Sequence, residues 1–117
     1  MFAEAKGTKI FYTLEGSGES RVVLLHGWGC SSRLMESPAS ALREDHQVLA
    51  LDFPGHGQSG RPPEPWGVPD FATCLLELLK KTDFLPCSVI AHSFGGRVTI
   101  ELASQDAALF EIGRAHV

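Results

Sequence analysis

The 117-residue sequence predicts an α/β fold, a mostly parallel sheet with crossover helices, on three observations. The apolar runs at 22–25, Val48–Leu51 and Ser88–Ala91 are continuous rather than alternating, as strands covered on both faces require. Phe71, Cys74, Leu75, Leu78 and Leu79 fall at i, i+3, i+4, i+7 and i+8, which marks one face of an amphipathic helix. Strand and helix patterns alternate from Arg21 onward, and such alternation favours parallel strands joined by helical crossovers.

The elements follow in order. Lys9–Leu14 is β-rich and is closed by Gly16-Ser17-Gly18, so a strand and a turn are expected. Arg21–Leu25 is the first buried strand. Ser32–Glu44 mixes polar and apolar residues as a helix would, with Pro38 expected to bend or interrupt it. After the strand Val48–Leu51, residues 61–69 are proline-rich and predict a loop rather than a domain linker. Pro69 and Asp70 suit the first turn of the next helix, and Lys80 and Lys81 its last. The strand Ser88–Ala91 then runs into a helix expected from Phe94 to about Ala108.

Composition excludes some functions. The net charge is -4 with Lys and Arg scattered, so no basic stripe exists to neutralise phosphates and no nucleic-acid partner is expected. Charges at Glu4, Lys6 and Lys9 leave no apolar signal core. No apolar run approaches a membrane span, so no membrane is expected either. Cys30, Cys74 and Cys87 are odd in number and widely spaced. They predict packing residues of a reduced, cytoplasmic protein rather than a disulfide framework. No cofactor and no metal are expected, since Asp52 and His56 alone are too few ligands.

Chemistry concentrates in three segments. In Ala91-His92-Ser93-Phe94-Gly95 an apolar strand turns within one residue into a helix. A reversal that tight strains the serine backbone and crowds the residues on either side, so Ala91 and Gly95 must be small. The serine hydroxyl then stands at the positive end of a helix. Alone this pattern is weak, because a serine also caps helices. The second segment is His26-Gly27-Trp28-Gly29, directly after a buried strand. The third is Asp52-Phe-Pro-Gly-His-Gly-Gln-Ser59, also after a strand, where Gly55, His56 and Gly57 require a sharply bent loop.

Together these segments resemble the α/β hydrolase superfamily, over residues 8 to 108. Ala91–Gly95 is similar to its nucleophile elbow Gly-x-Ser-x-Gly, with Ala91 in place of the first glycine. His26–Gly29 resembles its oxyanion loop, and Asp52–Ser59 its Asp-x-Pro-Gly-His-Gly-x-Ser loop. The resemblance implies Ser93 as nucleophile, with the backbone N–H groups of Trp28 and Phe94 as oxyanion donors. It implies an architectural role for Asp52 and His56, and a loop-fixing hydrogen bond for His26 rather than general-base duty. The substrate implied is a small carbonyl compound.

The resemblance also implies a triad acid and histidine after the serine. Only Glu101, Asp106, Glu111 and His116 follow Ser93. Glu101 and Asp106 belong to the elbow's own helix, which leads away from the site. Glu111–Val117 matches a common sequencing adapter translated in one frame, so a non-native tail is expected at 111–117. Residues 1–110 are therefore expected to be the N-terminal portion of an α/β hydrolase domain, truncated after the elbow helix and without turnover. The family offers other functions: an acyltransferase, a lyase similar to a menaquinone-pathway synthase (suggested by Gly95-Gly96-Arg97), or a hydrolase-like binding protein. Its epoxide hydrolases and haloalkane dehalogenases use aspartate at the nucleophile position, where this sequence has Ser93. Oligomeric state is not legible.

Overall fold

A computed structural model describes residues 1–105. Its strands are β1 (Phe2–Ala5), β2 (Thr8–Gly16), β3 (Arg21–Leu25), β4 (Gln47–Leu51) and β5 (Ser88–Ala91), with helices α1 (Glu36–Leu42), α2 (Val68–Lys81) and α3 (Phe94–Gln105). The strands form one sheet in the order β1-β2-β4-β3-β5. β3 pairs in parallel with both β4 and β5, so Val22 lies opposite Val48 on one side and Ser88 on the other. The N-terminal strands add an antiparallel flank, β1 to β2 and β2 to β4.

The continuous apolar runs have a direct cause. Val23, Leu25, Leu49, Leu51, Val89 and Ala91 point into the larger core beneath α2 and α3, whereas Val22, Leu24, Val48 and Ala50 point into a second core beneath α1. Successive side chains of one strand face opposite sides, and here both sides are covered. The larger core also buries Phe71, Cys74, Leu75, Leu78 and Leu79 of α2, the stripe expected from their spacing. Asp70 accepts the Gly67 N–H at 2.9 Å, and this satisfies a backbone donor at the entry to α2. Leu78 is fully buried. Leu78→Ala therefore lowers unfolding stability by about 2–5 kcal/mol in urea titrations, whereas exposed Leu34→Ala stays within about 0.5 kcal/mol. Equal effects at the two positions would contradict this packing.

Two local expectations change. Pro38 does not interrupt α1, because it is the helix's third residue, in the first turn, where no intrahelical N–H partner is needed. The break lies earlier, where a 3-10 turn over Ser32–Met35 passes into α1. The strand β1 had no sequence signal of its own. It joins β2 through Lys6 and Gly7, at φ 47° and 74°, positive at both central positions as tight hairpins prefer. Lys-Gly is not among the usual signatures of such a turn.

Cys74 and Cys87 are buried and Cys30 half-buried. Burial, reinforced by the Glu77 charge, pushes the Cys74 thiol up to about 12, which makes it inert packing material. Among the described residues β5 is an edge strand, bonded only to β3, and Ile100 on α3 is exposed. Among the same residues no helix is long and apolar enough to cross a membrane. The expected continuation of α3 to Ala108 and the expected tail at 111–117 lie outside the described residues.

Candidate active site

The loops after β3, β4 and β5 converge at the carboxyl end of the parallel strands, the end where open α/β sheets place their sites. After β5 the chain reverses at Ser93, an exposed residue with φ 50°. A left-handed non-glycine residue costs about 1–3 kcal/mol, so the surroundings must enforce it. His92 donates its N–H to the Leu25 carbonyl at 2.9 Å, and Gly95 donates to the His92 carbonyl at 3.0 Å. At Gly95 a methyl group would stand 2.7 Å from both the Cβ and the carbonyl oxygen of Leu25. The start of α3 thus rests on the backbone of β3, and glycine is required there. Ala91 is buried on the other side of the turn. Its Cβ is accommodated.

The other two loops are tied to one another by their histidines. His26 Nε2 accepts the Phe53 N–H at 2.9 Å, and its Nδ1 lies 2.7 Å from the Gly27 carbonyl. An amide can donate only to a bare ring nitrogen, so Nε2 carries no proton and Nδ1 donates. His56 repeats the arrangement, with Nε2 accepting the Gly29 N–H at 2.9 Å and Nδ1 against the Pro54 carbonyl at 3.1 Å. Asp52 adds two more ties through its carboxylate oxygens, accepting Ser32 N–H at 2.7 Å and Gln58 N–H at 2.8 Å. Ser59, unassigned in the sequence reading, donates its hydroxyl to the Asp52 carbonyl and accepts the Phe11 N–H. Gly57 (φ 50°) passes so close that a methyl there would lie 2.1 Å from an Asp52 carboxylate oxygen. Gly55 and Gly29 complete the bends at φ 83° and 77°.

These ties set where the Trp28 amide lies. Gly27 packs against the elbow, its missing methyl position 2.9 Å from the His92 ring and 3.5 Å from Ser93 Cβ. The Trp28 and Phe94 rings meet edge to face at 5.1 Å. Among the described residues neither the Trp28 nor the Phe94 backbone N–H has a hydrogen-bond acceptor. Glu101 lies elsewhere, lining a separate hollow with Val68, Arg97 and Ser104. Asp106, Glu111 and His116 fall outside the described residues.

Burial holds the His26 imidazolium below its ordinary value of 6.5, aided by His56 and opposed by the Gly27 carbonyl and Asp52. A depressed folded-state value means that the unfolded chain binds the proton more readily. His26 therefore stabilises the fold fully above pH 6.5, and that contribution is lost as pH falls through the lower folded value. Unfolding free energy measured in urea is expected to decline as pH falls from above 6.5 through the lower folded value, and His26→Gln is expected to flatten the decline. An unchanged slope in the variant would contradict the neutral, loop-bonded imidazole.

Known proteins resemble this chain in sequence and fold. The sequence profile described as "Alpha/beta hydrolase family" matches residues 22–116. The chain belongs to the alpha/beta hydrolase family. This family member is 33% identical over 109 residues to a soluble epoxide hydrolase of Corynebacterium sp. (strain C12), a match covering 93% of the chain and 38% of the relative. It is 31% identical over 104 residues to an uncharacterised protein of Mycobacterium tuberculosis, covering 89% of the chain and 30% of that protein. Among solved structures it resembles the enol-lactonase from Burkholderia xenovorans LB400, with TM-score 0.89 and 25% identity over 95% of the chain and 44% of the lactonase. The chain thus spans less than half the length of each.

Proposed function

We propose that this segment supplies the nucleophile and oxyanion hole of a serine hydrolase acting on an ester, thioester or related carbonyl compound. The observation that carries the reading is the exposed Ser93 at φ 50° on a turn packed against Gly27, with the Trp28 and Phe94 amides lacking acceptors among the described residues. Ser93 Oγ attacks the carbonyl carbon, and the C=O electron pair moves to oxygen. The Trp28 and Phe94 N–H groups stabilise that oxyanion. Collapse expels the alcohol or thiol and leaves an acyl-serine, which water then cleaves. Each donor is expected to contribute about 10²–10³ in rate.

The general base is not among the loop histidines. His26 and His56 use both ring nitrogens to hold the loops, so neither is available to take the serine proton. That base and its orienting carboxylate are assigned to sequence outside the described residues, and no turnover is expected from the described residues alone. The similarity to a soluble epoxide hydrolase makes an epoxide the necessary comparison substrate, and serine at the elbow favours the ester. With the full-length protein, 4-nitrophenyl acetate is expected to give a stoichiometric nitrophenolate burst, the mark of an accumulating acyl-enzyme. Epoxide opening without any ester burst would overturn the proposal.

A further inference from the structure

Beside the oxyanion loop, the molecule has an open groove of about 810 Å³ whose walls include Trp28, His56, Arg61, Glu64, Trp66 and Phe71. We propose that this groove is a subsite for an uncharged aromatic group of the substrate, an inference that rests on the serine-hydrolase reading above for the word substrate. Both tryptophans of the chain line it. Phe71 is buried beneath them and meets each edge to face, Trp28 at 6.0 Å and Trp66 at 5.2 Å. Trp28 stands on the groove wall, its ring also edge to face with His56 at 4.8 Å.

Three features select the ligand class. Aromatic rings pair with rings in edge-to-face or offset geometry, a preference that an alkyl chain of equal size does not satisfy. Pro54, Pro62 and Pro65 complete the walls, and proline loses no rotamer freedom when a ligand covers it. Arg61 and Glu64 contribute one charge of each sign and form no ion pair with each other among the described residues. Their fields oppose, so neither an anion nor a cation is favoured. The volume falls within the range of about 300–1,000 Å³ typical of small-molecule sites. Trp28 and Gly29 belong to the groove wall and to the oxyanion loop together, so a ring bound here lies next to the amide that would hold the reacting carbonyl.

The test uses the chain as it is, because binding needs no turnover. The two indole N–H resonances in a ¹H–¹⁵N spectrum report the groove directly, and they are assigned with Trp66→Phe. Titration with benzyl alcohol is expected to shift both resonances saturably, with n-hexanol and benzoate binding more weakly. Trp66→Ala is expected to weaken benzyl alcohol binding by about 2- to 12-fold, the worth of one aromatic pair. Should that variant fail to fold, Pro65→Glu, which charges an exposed wall position, is expected to weaken binding in the same direction. Absence of saturable shifts, or equal binding of hexanol, overturns the subsite. Fluorophosphonate labelling of the full-length protein, where a general base can activate the serine, separates the two ideas. Labelled Ser93 with no titration removes the groove alone, while a saturable titration without labelling supports the groove and removes the nucleophile.

Discussion

Ser93→Ala in the full-length protein lowers kcat for ester hydrolysis by on the order of 10⁶-fold, the loss seen when a serine nucleophile is removed from an intact triad. The methyl group cannot form the acyl intermediate, so the two-step route closes and only water attack remains. A residual rate of about 10³–10⁴ over the uncatalysed reaction is expected to survive, because the oxyanion donors and the binding surfaces remain. Far-ultraviolet dichroism and urea midpoints should be unchanged, since the strained φ of 50° at this position is no easier for alanine than for serine. Steady-state kinetics on 4-nitrophenyl acetate measure the effect. A loss of tenfold or less would show that the elbow serine is not the nucleophile.

Gly95→Ala is the larger structural perturbation, and its sign separates packing from propensity. In an exposed helix, replacing glycine with alanine stabilises by about 1 kcal/mol. Here the added methyl would approach Leu25 Cβ and its carbonyl oxygen at 2.7 Å and the His26 carbonyl at 3.0 Å. Two of those three neighbours are backbone atoms of a central strand and its exit, which cannot swing aside as a flexible side chain would. Overpacking of this kind typically costs about 1–3 kcal/mol, so net destabilisation of that order is expected in urea unfolding. Activity of the full-length protein should fall as well, because the displaced helix carries the Phe94 amide away from the serine. A stabilised variant would mean that α3 does not rest on β3.

The fold was legible where one rule governed a whole element. Val48–Leu51 could be read as a covered strand because alternate residues feed two separate cores, and the α2 stripe because its spacing matches one helical face. β1 escaped because its stability comes from pairing with β2 and from a turn at Lys6-Gly7, neither of which leaves a local pattern. Pro38 misled for a related reason, since its effect depends on its place in the helix and not on its presence. At the candidate site, Ser93, His26 and Asp52 were legible through loops whose glycines sit at fixed offsets. The aromatic groove was not, because Trp66 and Phe71 carry no motif. Phe71 reads as an ordinary member of the α2 stripe, and only the tertiary fold brings Trp28 beside it.

The proposed nucleophile is a serine oxygen raised on a strained turn and facing amides from two different loops. The crystal structure of the full-length protein inactivated with a fluorophosphonate tests it most directly. Phosphorus is expected on Ser93 Oγ, with a phosphoryl oxygen about 2.7–3.1 Å from the backbone nitrogens of both Trp28 and Phe94. An adduct on another residue, or a phosphoryl oxygen turned away from both amides, would contradict it.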